Sequence, residues 1–188
     1  EGQQDIVSPQ LVYYPAIIRE NIRKMIHIAG GAARLWPHIK THKMPLFALM
    51  QLAAGACGIT CAKVSEAEVM AQGGVQDIFI AYPMVGAHRV RRAIALSRRV
   101  TRLILAVDSL EGAEALNEAA EAEGVTLEVR LEVDTGAGRT GVVQEKAVAL
   151  ALGVAELPHL RLTGLYTFKG LTLGGETTMD AQAAAEEE

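Results

Sequence analysis

The chain is expected to fold as an α/β protein, an incomplete (β/α)8 TIM barrel of about six β-α units. Three observations lead there. Strand-like and helix-like patterns alternate from end to end with short turns between them. Such alternation implies a parallel sheet, because parallel strands need helical crossovers. The segment Thr126-Leu127-Glu128-Val129-Arg130-Leu131-Glu132-Val133 sets charges and apolar residues in alternation. A doubly wound sheet, which also fits the β-α alternation, is covered by helices on both faces and reads as continuously apolar, so the charges favour the barrel. In a barrel, Glu128, Arg130 and Glu132 would point into the lumen and pair with charges of neighbouring strands; an edge strand with one wet face is the alternative. Finally, the 188 residues fall short of the roughly 250 that an eight-stranded barrel takes. The sequence is therefore expected to be truncated before the last strands.

The elements follow in order. Ile18, Ile22, Met25 and Ile26 fall on one stripe of a first helix, opposite Arg19, Glu20, Arg23 and Lys24. A short apolar strand then leads to Lys40. Pro45 opens the next helix, where its missing N–H costs nothing. A strand over 58–62 gives way to a helix begun by Ser65, with Glu68 completing a capping box. Later strands are expected over 77–81, 102–107, 125–133 and 160–166, separated by helices near 86–99, 109–123 and 144–155. The chain stops at Ala185-Glu186-Glu187-Glu188, in what reads as the start of a further helix.

Half of the residues are hydrophobic, enough to bury the core of one domain spanning 1–188. The net charge of −4 argues against nucleic acid as a partner. No apolar run approaches the roughly 20 residues that span a membrane. No signal peptide is evident, although the chain begins Glu1-Gly2-Gln3-Gln4 without a methionine, so its true start is expected to lie upstream. Arg91, Arg92, Arg98 and Arg99 repeat at a spacing of seven in an arginine-rich run from Arg89 to Arg102. A solvated helix face is the reading there, with an anion site as the alternative. Cys57 and Cys61 lack further zinc ligands at finger spacing and are expected to be buried free thiols, in a reducing, cytoplasmic setting.

Chemistry concentrates in Trp36-Pro37-His38-Ile39-Lys40-Thr41-His42-Lys43, which sets a lysine between two histidines. A lysine that forms a Schiff base must lose its proton near neutral pH, so its ordinary pKa of about 10.4 has to fall by roughly three units. Lys43 or a protonated histidine would supply part of the charge that does this; a basic surface loop is the alternative. If the segment stays extended, His38, Lys40 and His42 share one face. Either histidine would exchange a proton near neutral pH or simply hold the backbone by a hydrogen bond.

This segment is very similar to the P-H-x-K-T-H-K signature of the D-threonine aldolase and D-serine dehydratase group, which shares the alanine racemase N-terminal fold. Three further stretches match that group in order. They are Gly58-Ile59-Thr60-Cys61-Ala62-Lys63 with Glu66-Ala67-Glu68-Val69-Met70, then Ile80-Ala81-Tyr82-Pro83-Met84-Val85-Gly86, then Val133-Asp134-Thr135-Gly136-Ala137-Gly138-Arg139-Thr140-Gly141-Val142. The resemblance implies a lyase that uses pyridoxal 5'-phosphate (PLP) on D-amino acids, by retro-aldol cleavage or dehydration, with Lys40 as the Schiff-base lysine. Amino-acid racemisation and non-catalytic PLP binding in cofactor homeostasis are the alternatives.

The resemblance makes Arg139 the arginine that faces the cofactor's phenolic oxygen. Glu132 stands where alanine racemases often carry a carbamylated lysine, and is expected to pair with Arg139 bidentately. Tyr82 lines the pocket or packs in the core. In the pattern Gly-Leu-x-x-Tyr-x-Gly-His the chain departs from the group, with Phe168 for the tyrosine and Leu171 for the histidine. Phe168 can stack but cannot move a proton, and Tyr166, two residues away, is expected to compensate. The resemblance further implies a C-terminal β-domain, of which this sequence shows no trace. That domain would carry the ligands of a divalent metal, so none are assigned here. A homodimer is implied for the complete protein.

Overall fold

A computed structural model describes residues 9–174 and 176–188. Helix α1 (Pro15–Ile28) precedes α2 (Pro45–Ala53), and five β-α alternations follow. These are β1 (Ile59–Cys61), α3 (Val64–Gln72), β2 (Asp77–Pro83), α4 (Ala87–Ser97), β3 (Arg102–Val107), α5 (Leu110–Ala122), β4 (Leu127–Asp134), the short β5 (Val142–Val143), α6 (Gln144–Ala155) and β6 (Leu160–Thr167). A hairpin of β7 (Thr172–Leu173) and β8 (Glu176–Thr177) leads into α7 (Ala181–Glu187). The strands β1, β2, β3 and β4 pair in sequence order, and β5 and β6 both pair with β4, all in parallel. Among the described residues no helix is long and apolar enough to cross a membrane.

The two faces of the sheet decide between the architectures that the sequence left open. Ile78, Ile80, Leu103, Leu105, Leu127, Val129 and Leu131 face one core, which also takes buried residues from each helix α2 to α6. The residues between them, Phe79, Ile104 and Ala106, form a separate cluster with Trp36, Ala81 and Tyr166, to which no helix contributes. Helices therefore cover one face only. The other face is the lumen of a partial barrel, as the alternating charges of β4 anticipated.

Along β4 those charges are stacked in tiers. At the strand's start Glu128, 4% exposed at its side chain, takes a bidentate contact from Arg102 (3.0 and 2.5 Å) and further bonds from Arg161 (3.1 Å) and Thr163 (2.8 Å). Next, Arg130 lies over the rings of Trp36 and Phe79 at 5.8 and 5.4 Å. Glu132 closes the column near the strand's C-terminal end. A bulge at β6 shifts its register between Leu162 and Leu165, which keeps Tyr166 opposite Glu132.

Several local expectations are corrected. The approach to Lys40 is not a regular strand: His38 makes one isolated parallel bridge to Thr60, and Ile39–Thr41 is a single 3-10 turn. Pro37 has no N–H to donate; its carbonyl accepts from the Thr60 N–H of β1, and the Leu35 carbonyl accepts from the Cys57 N–H just before that strand. Helix α3 starts at Val64 without a side-chain cap, so Ser65 and Glu68 form no capping box. Glu68 is held by Arg92 of α4, and Glu66 instead accepts from the Ala62 N–H at 2.9 Å. Helix α1 buries only Ile22 of its expected stripe, and Met25 is exposed. Cys61 is buried, its thiol pushed up to about 12 by desolvation, but Cys57 is exposed at the other end of β1.

Candidate functional site

The C-terminal ends of the parallel strands bring together residues that are far apart in sequence. Lys40 sits on the 3-10 turn, which is pinned by the fully buried Ile39. His38 caps that turn, its Nδ1 accepting the Lys40 backbone N–H at 3.2 Å. That contact leaves the imidazole proton on Nε2. Burial, followed by the neighbouring Lys40 charge, lowers the His38 pKa, so the ring is neutral at pH 7.

The turn breaks the two-residue alternation on which convergence of both histidines depended. His38 and Lys40 line one cavity of about 530 Å³, of a size suited to a small molecule. His42 is not among the residues lining it. Its Nδ1 accepts from the Met44 N–H at 3.0 Å and its ring meets Phe47 edge-on. Burial lowers its pKa as well.

Arg139 reaches the site from the glycine-rich loop after β4. Asp134 opens that loop, its Oδ1 accepting from the Gly136 and Gly138 N–H groups at 3.0 and 3.1 Å. These two bonds hold its carboxyl below the usual range. Gly141 closes the loop at φ +102°, donating to Asp108 Oδ2 at 3.1 Å. A Cβ there would lie 2.7 Å from the Asp134 nitrogen. We expect Gly141→Ala to cost about 1 to 3 kcal/mol in urea unfolding, from strain and the clash together. Gly138→Ala, at φ +60° with nothing within 4 Å, should cost about 1 kcal/mol. Equal losses would show that the close approach at Gly141 is not what shapes the loop.

The Arg139 guanidinium carbon lies 4.9 Å from the Phe168 ring centroid, and Lys40 Nζ lies 5.2 Å from the same centroid. Beside them Glu132, 3% exposed, uses both carboxylate oxygens. Oε1 accepts from Thr140 Oγ1 and Oε2 from Tyr166 OH, each at 2.8 Å. The expected Glu132–Arg139 ion pair is not formed among the described residues. The neighbouring Thr140 hydroxyl takes one oxygen, and Arg139 is exposed at the mouth. Burial, then the hydrogen bond to Glu132, raises the Tyr166 pKa, so the phenol stays a proton donor. Tyr82 is 40% exposed and lines the cavity, not the core. Among the described residues no group of three or more His, Cys, Asp or Glu is arranged to hold a metal ion.

Sequence reasoning missed Thr140, Asp134 and Asp108. The first two lie inside a quoted motif, but a motif does not say which hydroxyl or carboxylate faces which partner.

The chemistry of the cavity suits an anionic aromatic aldehyde such as PLP. A primary amine and a guanidinium meet over one aromatic ring, and no carboxylate is among the residues lining the cavity.

Comparison with known proteins gives the family and the fold. The family profile described as alanine racemase, N-terminal domain, matches residues 15–187. A D-threonine aldolase from Arthrobacter sp. is 38% identical over 165 residues, covering 87% of this chain and 43% of its own length. A D-threo-3-hydroxyaspartate dehydratase from Delftia sp. (strain HT23) is 38% identical over 175 residues, covering 91% and 46%. The crystal structure of D-threonine aldolase from Filomicrobium marinum aligns with a TM-score of 0.84 at 35% identity, over 89% of this chain and 46% of that one. The chain thus spans under half the length of these relatives.

Proposed function

This chain belongs to the alanine racemase N-terminal domain family, and from that premise we propose that it forms the cofactor-bearing part of a PLP-dependent lyase. Its substrates would be β-hydroxy D-amino acids, cleaved to an aldehyde or dehydrated, as the names of its relatives suggest. The observation that carries this reading is the meeting of Lys40 and Arg139 over Phe168, beside the Glu132–Tyr166 pair. PLP, when bound, supplies an electron sink for the carbon that bears the substrate's amino group.

Lys40 would hold the cofactor through its ε-amine, and Arg139 would face it with a fixed positive charge. Phe168 offers both residues an apolar surface. Glu132 keeps Tyr166 and Thr140 oriented at the lumen's upper end. His38, neutral and with its proton on Nε2, presents an N–H donor beside Lys40; to accept a proton it would first have to release its Nδ1 from the Lys40 N–H. A divalent metal, a homodimeric assembly and a cytoplasmic location belong to the same proposal, for the complete protein.

The test is to mix the chain with PLP, reduce with borohydride and map the modified peptide. The expected label falls on the peptide that contains Lys40. A label spread over the exposed lysines, or none, would sink the reading.

A further inference from the structure

Arg139 carries the fixed charge of the proposed site, yet its side chain is exposed and meets the Phe168 ring at 4.9 Å without an ion pair among the described residues. A cation over a ring face is attracted within about 6 Å of the centroid, and that attraction fixes no single direction. The direction in which Arg139 leaves its loop therefore rests on the backbone that bears it.

The two residues after Arg139 are both tied down. Thr140 donates its hydroxyl to Glu132 Oε1 at 2.8 Å, and Gly141 donates its N–H to Asp108 Oδ2 at 3.1 Å. These anchors differ in origin. Glu132 belongs to β4, as does Asp134, which holds the Gly136 and Gly138 N–H groups. Val142 and Val143 then pair back onto Val133 and Asp134 of the same strand. A loop tied only to the strand it leaves can still swing about that strand's end. Thr135 does meet Thr167 of β6, but four residues before Arg139. Next to Arg139, Asp108 supplies the tie to another strand: it directly follows β3, whose Val107 is in register with Leu131 of β4.

Asp108 is itself well held. Val107 before it is buried, and Ser109 after it caps α5, its Oγ accepting from the Gly112 N–H at 3.3 Å. Asp108 forms no ion pair among the described residues, so no cation competes with Gly141 for the carboxylate. A bond from a backbone N–H to a carboxylate is stronger than one between neutral groups.

We propose that Asp108 is a positioning residue, which through the Gly141 N–H holds the loop after β4 in the conformation that presents Arg139 at the cavity. The inference rests on the PLP-dependent reading and deepens it by adding a residue that need not touch the cofactor.

The test compares Asp108→Ala with Asp108→Asn, which loses the charge but keeps an acceptor oxygen. The first readout uses no cofactor: limited trypsin cleavage of the native chain after Arg139, with cleavage after Arg91 of α4 as the internal control. Asp108→Ala is expected to speed cleavage after Arg139 roughly tenfold, the worth of one charge-assisted hydrogen bond. Cleavage after Arg91 should not change, and Asp108→Asn should stay within about threefold of the parent. The second readout is the dissociation constant of PLP. It should rise roughly tenfold in Asp108→Ala and rise no further when Asp108→Ala is added to Arg139→Gln, because the effect passes through Arg139. Unchanged cleavage after Arg139 in Asp108→Ala would overturn the proposal. So would equally faster cleavage after Arg91, a loss in Asp108→Asn as large as in Asp108→Ala, or full additivity with Arg139→Gln. Because the tryptic readout needs no PLP, and borohydride labelling of Lys40 is read on the parent chain, failure of the positioning role is distinguishable from failure of the lyase reading.

Discussion

The Lys40→Ala variant is expected to lose the borohydride-fixed cofactor altogether and, in the complete protein, at least roughly a thousandfold of its turnover. Two lysines compete for this role in the sequence, and the structure separates them by what surrounds each. Lys40 Nζ lies over Phe168 in the cavity that also holds Arg139. Lys43 stands at φ +50° with its Nζ 3.6 Å from Glu66 Oε1, turned to a carboxylate on the neighbouring helix. Lys43→Ala should therefore keep the label and most of the activity. Lys40 is exposed and forms no ion pair among the described residues, so its truncation should leave the thermal midpoint almost unmoved. An adduct that persists in Lys40→Ala, or that requires Lys43, would refute the assignment.

The second large effect is on stability. Glu128→Ala should cost about 2 to 3 kcal/mol in urea unfolding. Breaking a buried ion pair costs roughly 3 to 5 kcal/mol, but Arg102 and Arg161 are 40% and 68% exposed and keep part of their hydration. The bidentate contact from Arg102, more than the opposing effect of burial, holds the Glu128 carboxyl below its ordinary range. A carboxyl whose folded pKa is depressed stabilises the fold above its unfolded pKa, here about 4.3. That contribution is lost as the pH falls through the lower, folded value. The parent chain should thus lose stability on acidification below about pH 4.3 more steeply than Glu128→Gln does. Parallel acid profiles for the two would show that Glu128 is not a keystone of the lumen. Because Glu128 lies at the start of β4, away from the Lys40 cavity, PLP capture by the folded variant should be unchanged.

The Glu128 result bears on how the lumen was foreseen. A single strand with charges at every second position is incompatible with helices on both faces, so the barrel-like arrangement was legible from residues 126–133 alone. The boundaries of β3 and α6 were legible too, since apolar periodicity and turn residues mark them locally. The start of α3 was not. Ser65 and Glu68 have capping-box spacing, but Arg92 lies across on α4, and a two-bond ion pair with it outcompetes one backbone contact. The histidines show the same limit. His38 and His42 share a face only in extended backbone, and a single 3-10 turn, invisible in residue types, sends His42 to Met44 and Phe47.

By itself, then, the sequence determined what is local or ordered along the chain. The parallel β-α alternation follows from residue type and spacing, whereas Lys40 and Arg139 as the pair to watch come from the family resemblance that the four ordered motifs carry. The tertiary structure alone decided which groups touch. It set Lys40 and Arg139 over Phe168, and gave Glu132 to Thr140 and Tyr166 in place of Arg139. Periodicity encodes which face of an element is buried, because burial depends on one strand or helix at a time. A hydrogen bond or ion pair depends on distances of a few ångströms between separate elements, and those are fixed only when strand register, bulge and turn act together.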